Sequence, residues 1–162
     1  MAISHKTASI FNQISIDSTY LIYGGFENEE VEINLTAGSW YHITNATNDL
    51  WSGTESYGFA LSGDVMTIIY PGDYIGIVTL VFEGSQGNEY EFRLYNLTDS
   101  AQAGYILGQT GRGTGSYSLV TLPLYFTVNG NGRYFRMEVR NVSASNPATF
   151  KFGSFWLVYL KS

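Results

Sequence analysis

Two hydrophobic runs stand out in the pattern along the chain, at residues 74–82 (YIGIVTLVF) and at residues 155–160 (FWLVYL). A strand with one face in water alternates apolar and polar residues, whereas these runs are apolar at successive positions. Both faces of each predicted strand therefore need cover. Two sources of cover remain open at this point, a second subunit or a loop or terminal arm of the same chain.

Most other segments show the period of two that is typical of half-buried strands, as at residues 31–35, 90–94 and 135–139. Turn-forming residues separate these segments. The turn at residues 71–73 (PGD) precedes the first hydrophobic run, and residues 129–132 (NGNG) predict a two-residue hairpin. No window has the period of an amphipathic helix. About eight to ten short strands predict an all-β antiparallel sandwich of the jelly-roll type.

Composition strengthens this prediction and suggests one domain. The chain has 162 residues, of which 44% are hydrophobic, 16% aromatic and only 14% charged. Abundant Tyr, Phe and Gly with few charges favours strands joined by turns. The strand rhythm tightens near Trp40, which predicts a jelly-roll domain over residues 39–162. Residues 1–38 then form either an N-terminal arm or the first strands of the same domain.

Charge and cysteine usage exclude several classes of function. The net charge is −6, and residues 1–80 contain nine acids and a single lysine, with no basic cluster. This balance argues against nucleic acid and against an anionic membrane surface as partners. The absence of Cys excludes disulfides and thiol chemistry. Residues 1–6 lack the apolar core of a signal peptide, so we expect synthesis in a cytoplasm.

The candidates for chemistry are weak. His5 and His42 have no marked nucleophile or orienting carboxylate, so no catalytic residue is assigned. The acidic residues within 27–32 lack the spacing of a calcium loop, and we expect a solvated turn with no metal or cofactor. Glu89 and Glu91 lie about 7 Å apart on one strand face. An arginine shares that face, which favours surface display over a glycosidase pair.

Five segments in order resemble the tumour-necrosis-factor-like jelly roll, the superfamily that includes the complement globular heads. They are residues 65–74 (VMTIIYPGDY), 89–94 (EYEFRL), 116–120 (SYSLV), 132–139 (GRYFRMEV) and 149–160 (TFKFGSFWLVYL). The resemblance rests on the order and spacing of these segments. Arg133 departs from the pattern, because relatives often have an acidic residue there.

This resemblance implies a threefold assembly. Domains of this superfamily form trimers, and the inner sheet uses strands that correspond to residues 74–82 and 149–160. Members occur as secreted ligands and as bacteriophage structural modules. A Cys-free chain without a signal peptide is more similar to the phage type, which implies a virion location and a capsid or fibre protein as partner.

The sequence also predicts which residues form the subunit interface. Lys151 and Lys161 bracket the odd-numbered face of the last run, which assigns that face to the interface and the Trp156 face to the core. The predicted interface residues are Phe155, Leu157 and Tyr159, with Ile75 and Ile77 from the other run.

The resulting hypothesis is a non-enzymatic virion structural protein, a homotrimer that acts as capsid decoration or as a head or tail fibre module. The alternative is a carbohydrate-binding sandwich that contacts a host-surface glycan. Trp51 and Tyr57 lie in a polar loop and are its candidate contacts, since aromatic side chains anchor interfaces. The simpler interpretation, which the sequence favours, is that both pack under the loop as a small additional core.

Overall fold

The computed structural model describes residues 21–53 and 58–160, and every element within these ranges is a strand. No helix in this part of the chain is long and apolar enough to cross a membrane. The strands are β1 (Leu21–Ile33), β2 (Tyr41–His42), β3 (Ser52–Gly53), β4 (Phe59–Ser62), β5 (Val65–Ile68), β6 (Gly72–Gly84), β7 (Glu89–Asn96), β8 (Ala101–Thr110), β9 (Tyr117–Val128), β10 (Arg133–Asn141) and β11 (Ala148–Leu160).

The strands form two antiparallel sheets packed face to face. The five-stranded sheet has the order β3-β1-β11-β6-β9. The six-stranded sheet has the order β4-β5-β10-β7-β8, with β2 also paired to β10. From β5 to β7 and from β8 to β11, each connection crosses from one sheet to the other, as in a jelly roll. The prediction of an all-β antiparallel sandwich is confirmed.

The two hydrophobic runs are neighbours in the middle of the five-stranded sheet. β6 and β11 pair along their whole length, with Val78 opposite Phe155 and Ile77 opposite Trp156. Each strand has one face on the core and one face on the outside of the sandwich. The runs therefore lie side by side, as expected, and their apolar outer positions share one surface.

A β-bulge in β11 reverses the predicted orientation of this strand. The register with β6 shifts between Phe150 and Phe152, so Lys151 is an extra residue. Because side chains alternate with a period of two, one extra residue moves all later side chains to the other face. Before the bulge an even-numbered residue, Phe150, points inward, and after it Phe155 and Leu157 do. The assignment of the Trp156 face to the core is wrong.

Part of the N-terminal segment belongs to the sandwich. β1 pairs with β11 from Leu21 opposite Val158 to Ile33 opposite Ala148. Ile22 and Phe26 point into the core from this strand. Residues 1–20 lie outside the described ranges, and the division of the chain after residue 38 stays a prediction.

The prediction of a hairpin at residues 129–132 is wrong. β9 and β10 lie in different sheets, so the segment is a connection between layers. A two-residue turn of the expected type needs positive φ at both central residues. Here only Gly130 and Gly132 have positive φ, at 90° and 65°, and the connection is four residues long.

Aromatic side chains from both sheets fill the core at one end of the sandwich. Phe82 of β6 contacts Tyr90 and Phe92 of β7, with ring centroids 5.2 and 5.1 Å apart, and Phe150 lies against both phenylalanines. These edge-on contacts add to the free energy gained by burying the rings. These contacts join the two sheets at this end of the sandwich.

Candidate assembly surface

The side of the five-stranded sheet that points away from the core is hereafter called the outer face. Cross-strand pairing places its central side chains of β11, β6 and β9 in rows. The rows are Phe152, Val81 and Leu119; Ser154, Thr79 and Thr121; Trp156, Ile77 and Pro123; and Val158, Ile75 and Tyr125. None of these twelve side chains carries a charge.

Several of the large apolar side chains on the outer face are well exposed. Trp156 is 42% exposed, Tyr125 53% and Leu119 61%, and Tyr23 of β1 lies opposite Trp156. Single exposed apolar residues are common on monomers, but a continuous patch marks an interaction site. The pairing places Tyr23, Trp156 and Ile77 side by side, with Tyr125 in the next row, so these residues form one patch. Leu119 lies beyond a row of three hydroxyl side chains, Ser154, Thr79 and Thr121.

A groove floored by glycine runs along the β3–β1 side of the outer face. It is lined by Gly24, Gly25, Gly53 and Gly153, with Tyr23 and Phe152 as aromatic walls. A Cβ atom at Gly25 would stand 2.2 Å from the carbonyl oxygen of Gly153, so the strands leave no space for a larger residue. This glycine groove is open to solvent and has room for an apolar side chain.

The opposite side of the sandwich carries a protruding apolar ridge. In the pairing of β7 with β8, Arg93 alone faces three residues, Gly104, Tyr105 and Ile106. This irregular bulge, with three residues opposite one, pushes Tyr105 and Ile106 outward, and both are exposed. Gly104 has a φ of 76°, which suits glycine at such a position. We call Tyr105 and Ile106 the β8 ridge.

The sheet edges are poor templates for strand pairing. β3 and β4, at one edge of each sheet, are two and four residues long. At the other edges β9 contains Pro123, and β8 contains the bulge. Short strands, proline and bulges all disfavour edge-to-edge association. Faces rather than edges are available for contacts.

The outer side of the six-stranded sheet has a different character, because its charges pair within the chain. Glu138 is only 1% exposed and binds both Arg93 and Arg136, each at 2.6 Å. Arg140 binds Glu91 at 2.6 Å. The charged side chains of this face therefore form a ladder of ion pairs within the chain. This ladder leaves a partner little unpaired charge at the centre of the sheet.

Trp40 closes this charged ladder. The guanidinium groups of Arg93 and Arg140 lie 4.0 and 4.6 Å from its ring centroid, and Arg93 also stacks on Tyr95 at 4.3 Å. Cation–π contacts of this kind contribute roughly 0.5–2 kcal/mol each. The ladder therefore acts as a structural brace between β7, β10 and the segment before β2.

The structure separates the predicted interface residues into two groups. Phe155 and Leu157 are buried in the chain's own core, so their assignment to a subunit interface is wrong, for the reason given by the bulge. Tyr159 belongs to the same group, because it is half-buried against the core and packs on Tyr74, with ring centroids 5.3 Å apart. Ile75 and Ile77 lie on the outer face, and their role in an interface stays a prediction.

Trp51 does not reach a ligand, because it is 7% exposed and lies in the core. Its ring contacts Phe26 edge-on at 4.9 Å, and its Nε1 donates to the carbonyl of Ile43 at 2.9 Å. The buried carboxylate of Asp64 accepts the backbone N–H groups of Leu50 and Trp51 at 3.0 and 2.6 Å. These bonds hold the polar loop on the sandwich. Trp51 therefore packs under the loop, as the second of the two interpretations of this residue predicted. Tyr57 lies outside the described residues.

The titratable candidates have structural partners. His42 is half-buried, and its Nε2 lies 3.0 Å from the carbonyl oxygen of Asp64. Burial lowers the pKa of His42. Glu91 is engaged by Arg140, and Glu30 of the acidic segment pairs with Lys151. Within residues 21–53 and 58–160 no group of three or more acidic or His side chains could hold a metal ion.

Sequence inspection missed five residues of the outer face, Tyr23, Leu119, Tyr125, Phe152 and Trp156. The sequence did contain a signal for β9. Its outward-facing positions include Tyr117, Leu119 and Tyr125, where a strand exposed to water would have polar residues. For Phe152 and Trp156 the bulge hid the signal, because nothing local in the sequence marks Lys151 as an extra residue.

Comparison with known proteins identifies the fold. No protein-family model and no curated protein matches the sequence. Among solved structures, Eiger TNF from S. frugiperda superposes with a TM-score of 0.56 at 14% identity, covering 88% of this chain and 94% of that one. The PRD1 vertex protein P5 gives 0.53 at 14%, with 88% and 98% covered. The globular domain of zebrafish complement 1qA gives 0.54 at 11%, also with 88% and 98% covered.

Each of these three structures covers 88% of the chain, and one of them is a vertex protein. The identities are too low to transfer an activity or a partner, but the superpositions agree on the arrangement of strands. The chain has the tumour-necrosis-factor-like jelly-roll fold that its five sequence segments resemble.

Proposed function

We propose that the chain is a non-enzymatic structural module that forms a homotrimer through the outer face of its five-stranded sheet. The uncharged patch around Trp156, Ile77 and Tyr125 carries this proposal, because exposed apolar side chains that lie together mark an interaction site. Burying one such side chain contributes roughly 1.5–3 kcal/mol. The paired charges on the other sheet favour the outer face as the contact.

The positions of the apolar features favour a ring over a twofold dimer. The glycine groove lies at the β3–β1 side of the molecule, and the β8 ridge lies at the opposite side, next to β9. Two different patches on opposite sides of one chain suit a head-to-tail contact, in which each copy uses both. Such contacts form a closed ring when the rotation between copies is a whole fraction of a turn, and the fold resemblance implies three copies.

The assembly is tested by the molar mass in solution. Size-exclusion chromatography with light scattering is expected to give three times the 18.0 kDa mass of the chain. A mass of one chain throughout the micromolar range would overturn the proposal, as would a stable dimer.

We further propose that this module belongs to a virion, as capsid decoration or as a head or tail fibre component made in the host cytoplasm. The support is the likeness to the PRD1 vertex protein P5 together with a surface suited to assembly. The position of the gene tests this proposal. Neighbouring major capsid genes would favour decoration and neighbouring tail genes a fibre, whereas a location among metabolic genes would contradict both.

The burial of Trp51 disfavours the carbohydrate-binding alternative. Its main contact, Trp51, is enclosed by Phe26 and Phe155 and held there by a hydrogen bond to Ile43. A ring buried in this way has no face available for stacking on a sugar.

A further inference from the structure

The connection between β9 and β10 contains two Asn-Gly pairs, Asn129-Gly130 and Asn131-Gly132. Both asparagines are exposed. In such a pair the backbone nitrogen of glycine can attack the side-chain amide carbon of the preceding asparagine, because glycine has no Cβ to obstruct the approach. The structure constrains the two pairs differently.

The second pair is held in place by hydrogen bonds on both residues. The N–H of Gly132 donates to the carbonyl of Ile69 at 3.3 Å, and the carbonyl of Asn131 accepts from Nη1 of Arg133 at 3.2 Å. An attack by the Gly132 nitrogen would break the first of these bonds. Within residues 21–53 and 58–160, the N–H of Gly130 has no such acceptor. The nitrogen of the first pair is therefore available.

We propose that Asn129 is a site of spontaneous deamidation. The Gly130 nitrogen loses its proton to a water-derived base and forms a bond to Cγ of Asn129. The bond from Cγ to Nδ2 breaks, and ammonia leaves with a proton from solvent. Water then opens the cyclic imide at either of its two carbonyl–nitrogen bonds, which gives aspartate or isoaspartate. The reaction consumes water only and includes no redox step.

The product changes the charge and the covalent structure of this end of the sandwich. A carboxylate at position 129 makes the formal net charge of −6 more negative by one unit. It also appears close to Arg133, which already pairs with Asp99 at 3.2 Å. The isoaspartate form additionally lengthens the backbone of the connection between the two sheets. A partner that binds at this end would meet a different surface as the protein ages.

Peptide mapping of aged protein tests the proposal. The folded full-length protein is kept in mildly alkaline buffer, and the peptide that follows Arg112 and ends at Arg133 is sequenced by mass spectrometry at intervals. We expect conversion at Asn129 ahead of Asn131, with isoaspartate and aspartate both present. No conversion, conversion at Asn131 first, or aspartate without isoaspartate would each overturn the proposal.

Two controls link the result to the structure. The same peptide, released before ageing, lacks the bond from Gly132 to Ile69, so its two asparagines are expected to convert at similar rates. The variant Asn129→Gln places the amide one methylene farther from the nitrogen and is expected to lose the fast phase. A peptide that keeps the order seen in the folded protein would show that sequence, rather than the fold, sets the rates, and would contradict the structural argument.

Discussion

Trp156 of β11 stands directly opposite Ile77 of β6, and both side chains point away from the core. The next residue along each strand, Leu157 on β11 and Val78 on β6, is fully buried in the core. Two adjacent strands therefore supply the core with one set of apolar residues and the outer face with another. A substitution on the outer face can be tested without disturbing the packing beneath it.

The variant Trp156→Glu is expected to abolish the trimer while leaving the fold intact. A carboxylate buried without a partner in an apolar interface costs several kcal/mol, and each 1.4 kcal/mol weakens association about tenfold. The measurement is molar mass by light scattering, with circular dichroism to confirm the fold.

The matched control is Tyr134→Glu, an aromatic residue that is 49% exposed on the outer side of the six-stranded sheet. This variant is expected to keep the mass of the parent protein. If Trp156→Glu remained trimeric, or if both variants dissociated equally, the outer face would not be the specific contact.

Trp51→Ala is expected to destabilise the fold by about 3–5 kcal/mol, as large-to-small changes of buried aromatic residues do. The change removes the contacts with Phe26 and Phe155 and the hydrogen bond to Ile43. Urea unfolding followed by tryptophan fluorescence or circular dichroism gives the free energy. A loss below about 1 kcal/mol would mean that Trp51 is exposed in solution, as the glycan hypothesis requires.

Glu138→Gln is expected to reduce the free energy of unfolding by about 2–3 kcal/mol. The neutral amide leaves Arg93 and Arg136 without their shared counter-ion, but both are partly exposed and water compensates some of the loss. Glu89→Gln, at an exposed carboxylate of the same sheet, should change stability by less than about 0.5 kcal/mol. Equal losses in the two variants would argue against a special role for the buried carboxylate.

The free energy of unfolding is expected to fall as the pH drops just below 6.5, because His42 becomes protonated more readily in the unfolded chain. Burial lowers the pKa of His42 from its ordinary value of 6.5, so the unfolded chain binds this proton more readily than the folded chain. The contribution is fully present above pH 6.5 and is lost as the pH falls towards the lower pKa of the folded state.

Urea unfolding at a series of pH values measures this dependence. His42→Gln should remove the part of the slope that lies just below pH 6.5 and leave the carboxylate-dependent loss at lower pH. An unchanged slope in the variant would show that His42 is solvated in the folded protein.

Local patterns sufficed for much of the fold but not for the orientation of its most apolar strand. Strands such as β7, β9 and β10 alternate strictly, and their inward residues follow from that alternation. The bulge at Lys151 depends on the pairing of β11 with β6, which no local pattern reveals. Trp51 is buried because Asp64, thirteen residues away, binds its backbone, and such a contact has no local signature.

The turn-forming residues between β9 and β10 likewise predicted only part of the structure. The Asn-Gly pairs at residues 129–132 predicted a turn, but composition does not tell whether the next strand joins the same sheet or the facing one. That choice depends on which sheet can bury the inward side chains of β10, Phe135 and Met137 among them.

The protected edges of both sheets bear on how large an assembly can grow. Unprotected strands would let each copy recruit another by backbone pairing, and growth of that kind has no natural end. With Pro123 on β9 and the bulge on β8, contacts must use side chains whose positions on the molecule fix the angle between copies. On the proposed trimer, a higher concentration of the protein then gives more assemblies of the same size rather than larger ones.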